Sequence, residues 1–258
     1  AEDDSVIDYK VIHNTYDYQN QPVASKRGNA THSEITRYTD SSMTEKIDRQ
    51  EIDNITFDRL GNVVDQKIDL YVDELLSRRT VIHNSDISAR GDAANQDITI
   101  LVTDQTGTVE SLEESSHQFI TNRVFDSDHN VKNQRVENYT DSTKETLLDV
   151  QEIRNLSFDS RGNVLEQVVA TLDAEGELLD IKHITNEDYD AQGNASTVII
   201  AKYSEGTVAD TITYSELMDV TVISTSSFDL RGNALVQTIT RYSDAARSDL
   251  LETQNITN

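Results

Sequence analysis

Phe158-Asp159-Ser160-Arg161-Gly162-Asn163-Val164 has six counterparts in the chain, centred on Gly28, Gly61, Gly91, His129, Gly193 and Gly232. Each centre is followed by Asn or Asp. Asp suits the first position of a type I turn, and Gly supplies the left-handed residue behind it, so the motif closes a hairpin with a bulge. The best-formed versions are Asp58-x-x-Gly61-Asn62, Asp159-x-x-Gly162-Asn163, Asp190-x-x-Gly193-Asn194 and Asp229-x-x-Gly232-Asn233. His129 replaces the Gly once, and His is among the residues that accept positive φ. The sequence is therefore that of an all-β protein, a tandem array of antiparallel hairpins.

Successive centres lie 33, 30, 38, 33, 31 and 39 residues apart, so a longer repeat of 101 to 103 residues sits above the hairpin of about 33. Tyr38-Thr39-Asp40-Ser41 recurs as Tyr139-Thr140-Asp141-Ser142, and Gln50-Glu51-Ile52 as Gln151-Glu152-Ile153. Regular self-similarity of this kind marks a repeat array. Pairing outward from each turn sets Phe158 against Val164, Asn155 against Gln167 and Ile153 against Val169. The same register sets Phe57 against Val63, Asn54 against Gln66, Ile52 against Ile68, Phe228 against Ala234 and Ile223 against Ile239. Like residues meet like, which fixes the register. Apolar residues fall on both faces, so the long meandering sheet is expected to be covered or to curl onto itself. Asn and Gln are placed to form amide ladders between units.

The constant turns occupy one edge, with variable connectors such as 72–78 and the longer 204–219 on the other. Ser42-x-x-Glu45 and Ser142-x-x-Glu145 read as capping boxes, an alternative that would place a helical turn there. The first unit carries extra residues and Pro22, the single proline, and predicts a longer, irregular tip. Residues 1–258 read as one array of seven hairpins with half of an eighth at 250–258, a segment of a longer repeat protein or filament.

The charge is −25, from 47 acidic and 22 basic residues, and cysteine is absent. Nucleic acid and anionic membranes would repel such a surface, and no apolar run is long enough to insert in a bilayer. Disulfides and thiolate metal sites are excluded. Six histidines are scattered without metalloprotease or triad spacing. His13 and His83 hold equivalent Ile-His-Asn positions on strand surfaces. No catalytic residue set and no cofactor motif stand out, so the protein reads as non-enzymatic. Asp126-x-Asp128-x-Asn130 alternates oxygen ligands as a calcium loop does. It lacks the loop's Gly and distal Glu and falls on a hairpin turn, so these calcium candidates rank below the turn reading.

Tyr189-Asp190-Ala191-Gln192-Gly193-Asn194 resembles the core of the YD repeat of Rhs-type and teneurin-like proteins, where Tyr-Asp-x-x-Gly-Arg marks each hairpin. Phe-Asp stands in the same place in four units, at Phe57, Phe125, Phe158 and Phe228. The resemblance implies a spiral sheet, either as a shell that can enclose a toxin or as part of a surface protein. The functional expectation is a structural repeat module of an extracellular or cell-surface fibre, stalk, sheath or adhesin. A module binding a glycan or a surface protein, and an encapsulating shell segment, are the alternatives. Leu250, Leu251, Gln254 and Ile256 lie on the half hairpin. There an unpaired strand would pair with neighbouring copies or with the continuing repeat chain.

Overall fold

The computed structural model describes residues 8–104 and 106–258. Fifteen antiparallel strands run in chain order across one open sheet. The first seven are β1 (Tyr9–Thr15), β2 (His32–Tyr38), β3 (Lys46–Phe57), β4 (Val63–Val72), β5 (Leu75–Ile87), β6 (Ala93–Val102) and β7 (Glu113–Phe125). They continue as β8 (Val131–Tyr139), β9 (Leu147–Phe158), β10 (Val164–Asp173), β11 (Leu178–Tyr189) and β12 (Ala195–Val208). The last are β13 (Ile212–Phe228), β14 (Ala234–Tyr242) and β15 (Leu250–Thr257). The all-β hairpin meander expected from the turns is the fold observed. Of the first strand, expected from residue 6, residues 6 and 7 lie outside the described residues.

Every register pair named above is present, including Phe158 with Val164, Asn155 with Gln167 and Ile52 with Ile68. Pairing between them is not residue by residue, however. Leu156 and Leu165 drop out of the β9–β10 ladder, as do Ile55 and Val64 in β3–β4 and Ser226 and Leu235 in β13–β14. Two opposed single-residue irregularities cancel, so the register recovers while the strands gain local twist. The longer repeat also appears in the backbone: Met43, Lys144 and Arg247 share positive φ at 56°, 59° and 56°, and Asp86 and Asp188 at 52° and 56°.

The connectors hold two surprises. Ser42 and Ser142 begin no helix; Asp40 and Asp141 accept the N–H of Ser42 and Thr143, and residues 39 and 45, like 140 and 146, close a tight loop. Each Asp caps the N–H two residues on and so turns the chain, while the Ser142 N–H and hydroxyl donate instead to Glu114. On the supposedly variable edge, Asp173-Ala174-Glu175-Gly176-Glu177 makes the same turn as the constant edge, with Asp173 accepting from Glu175 and Glu177. The tip of the first hairpin contains α1 (Pro22–Lys26), with proline in its first turn, where the missing N–H costs nothing.

Two compact units divide the chain: residues 1–120 with 138–146, and residues 121–137 with 147–258. In the first, one face of β3, β4 and β5 is ionic. Asp69, 2% exposed, accepts two bonds from Arg79 at 2.7 and 2.8 Å, while Lys67 lies 2.8 Å from Asp53. In the second, the equivalent positions are apolar: Val168 stands for Lys67, Ala170 for Asp69 and Ile181 for Arg79. These three form a buried cluster with Ile212.

Candidate functional site

The turn side chains are spent on one another. Asp159 Oδ1 accepts the N–H groups of Arg161 and Asn163, each at 2.8 Å, and Oδ2 accepts the Asn163 amide at 2.8 Å. Asp58, Asp190 and Asp229 repeat the arrangement on Asn62, Asn194 and Asn233. Burial pulls the carboxyls of Asp58, Asp159, Asp190 and Asp229 upward, but these hydrogen bonds outweigh it and hold all four below the usual range. Five of the turn asparagines then meet the next hairpin. In the first unit Asn29 donates to the Gly61 carbonyl at 2.6 Å, and Asn62 lies against Gly91. In the second, Asn130 lies against Gly162, Asn163 against Gly193 and Asn194 against Gly232. The turn glycine thus serves twice, as the left-handed residue and as the bare surface on which the preceding Asn rests.

A second set of amides ties the strands. Gln66 donates to Asn54, Gln96 to Asn84 and Gln134 to Asn122. Asn54, Asn84, Asn155, Asn186 and Asn258 donate to main-chain carbonyls of the preceding hairpin, at Ala30, Val63, Val131, Val164 and Ala234. The expected amide ladder is a zigzag of this kind rather than a continuous stack.

β15 pairs with β14 from Tyr242–Leu250 to Val236–Thr257. Among the described residues no strand lies along its other edge. Leu250 and Leu251 are 57% and 52% exposed, Gln254 is exposed and Ile256 half-buried.

The longer connector at 204–219 is itself a β-hairpin. β12 and β13 stay paired out to Val208 and Ile212, beyond the width of their neighbours. The overhang turns over the β10–β11 face and inserts Ile212 into the apolar cluster. Gly206 permits the approach, since a Cβ there would stand 2.3 Å from Ile181 Cδ1 and 2.1 Å from the Thr213 carbonyl. Arg154 on β9 fastens the tip, donating to the carbonyls of Ala209 at 2.6 Å and Asp210 at 2.9 Å. Beside it Glu152, 4% exposed, accepts from Arg123, Arg135 and Arg154. Burial alone would raise the Glu152 carboxyl; Arg123, Arg154 and Arg135 reverse that and hold it low. Sequence reasoning missed this cluster. Its signal is a break in the long repeat, Arg154 standing where the first copy has Asp53.

The calcium candidates are placed on the turn. Asp126 accepts from the N–H of Asp128 and Asn130 and from the Asn130 amide, as its counterparts do in the other turns. Among the described residues no group of three or more His, Asp or Glu is gathered as a metal set. His83 contacts Asp65 at 2.6 Å across the strands, and His13 is exposed on β1. Compared with known proteins, the chain matches no family model and no curated sequence.

Proposed function

We propose that the chain is a non-enzymatic structural repeat module of an extracellular or cell-surface protein, part of a fibre, stalk, sheath or adhesin, extended through the free edge of β15. One observation carries this reading: the residues that recur from unit to unit spend their hydrogen bonds joining hairpin to hairpin. Asn29 on Gly61, Asn54 on Ala30 and Asn155 on Val131 are bonds of construction. In this reading the likeness to the YD repeat is a likeness of building block.

β15 fits the assembly role by its sequence. Leu250 to Asn258 aligns with Leu147 to Asn155, and β9, which carries the latter, has β8 on one edge and β10 on the other. Side chains suited to two-sided pairing therefore sit on an open edge, without the proline or lysine that blunts edge strands. A return strand of the β10 type, from further repeat chain or from another copy, satisfies it by strand addition. Sedimentation and negative-stain microscopy across a concentration series test this. The unmodified chain is expected to associate head to tail. Leu250→Lys with Leu251→Lys, both at exposed positions, should hold it monomeric. An unmodified chain that stays strictly monomeric at the highest concentration, or turnover of any substrate, overturns the proposal.

A further inference from the structure

Beneath the β12–β13 overhang, within the second unit, lies a cavity of about 660 Å³. That volume suits a small organic molecule. Its apolar walls are Val124, Leu156 and Val168 on the sheet side and Ile212 and Tyr214 on the overhang, and Asn133, Asn155 and Thr211 are polar residues among them. Val168 and Ile212 are buried, but Val124, Leu156 and Tyr214 keep 47%, 49% and 36% of their surface exposed. The overhang leaves this apolar surface uncovered. Lys132, exposed on β8, borders the same cavity.

The charge here also departs from its surroundings. Lys132, Arg123, Arg135 and Arg154 gather with the carboxylates of Glu152, Glu137, Asp210 and Asp126, four cations to four anions in a chain of net −25. Arg154 is committed to Glu152 and to the carbonyls of Ile153, Ala209 and Asp210, whereas the exposed Lys132, which adds to the Asn130 hydrogen bonds in holding the Asp126 carboxyl low across the adjoining turn, keeps its ammonium accessible to a single anionic group. We infer that this cavity binds a small monoanionic amphiphile, an aromatic or medium-chain carboxylate, with its carboxylate at Lys132 and its apolar body between Leu156 and Tyr214.

The full chain holds no Trp, so titration with 1-anilinonaphthalene-8-sulfonate, an anion with an aromatic body, can be followed by the probe's fluorescence. Saturable binding displaced by decanoate but not by decanol is expected. Lys132→Glu should weaken it about tenfold, the scale of reversing one partner of an exposed ion pair. Lys10→Glu, an exposed site on β1, should leave it unchanged. Circular dichroism checks that both variants keep the sheet. Absence of saturable binding, equal affinity in Lys132→Glu, or decanol competing as well as decanoate overturns the inference.

Discussion

At the scale of single residues, Gly28 and Gly61 separate two demands that the motif merges. Both have positive φ, at 86° and 82°, but a Cβ on Gly28 meets nothing within 4 Å, whereas one on Gly61 meets Ala24 backbone at 2.8 Å. Gly28→Ala should cost about 1–2 kcal/mol, the penalty of the left-handed region alone. Gly61→Ala adds a clash with main chain, worth about another 1–3 kcal/mol. Urea midpoints of the two variants check the difference. The turn aspartates give a second expectation. The Asp190 carboxyl lies below its ordinary 3.8, so its bonds add stability that is full above that value and is lost as the pH falls through the depressed one. Asp190→Asn keeps an acceptor and discards the titration, so its melting temperature should fall less steeply below pH 4 than that of the unmodified chain. Equal slopes would refute the assignment. The Asp-x-x-Gly-Asn turn was legible because all its bonds close within five residues. The rest of Asn on the next glycine was not, because it joins positions some thirty residues apart that only the assembled sheet brings together.

At the scale of elements, the overhang is held by ion pairing and by apolar packing together. Removing Glu152 leaves three guanidinium groups around a buried vacancy, and breaking such a set costs about 3–5 kcal/mol. Glu152→Ala should therefore lower stability by that amount and speed amide exchange at 207–213, since Arg154 loses the partner that orients it toward Ala209 and Asp210. Unchanged exchange at the tip would show that Ile212 alone holds it. Strand register was readable from the sequence, because Asn54 with Gln66 and Ile52 with Ile68 are matched pairs. The paired irregularities at Leu156 and Leu165 were not, because they cancel and leave those pairs in place. The overhang was missed for another reason. Its residues have no counterpart in the long repeat, so repetition carries no signal of it.

At the scale of the molecule, a charge of −25 acts on every part of the sheet. Self-repulsion opposes compaction and weakens with ionic strength. The melting temperature should therefore rise between 10 and 150 mM NaCl, ranges over which the Debye length shrinks from about 30 Å to about 8 Å. Calcium at matched ionic strength should add nothing further, since the oxygens of Asp126 already serve the turn; a calcium-specific rise would reveal a site elsewhere. The amides of Asn54, Asn84, Asn155, Asn186 and Asn258 have one more consequence, which concerns time. Each reaches toward chain made earlier: Ala30, Val63, Val131, Val164 and Ala234. A hairpin leaving the ribosome finds its docking partner already finished, and the turn Asn of that partner waits for the incoming glycine. Folding during synthesis is then expected to advance hairpin by hairpin in the direction of synthesis, with Arg154 the exception, since its partners Ala209 and Asp210 are made some fifty-five residues later.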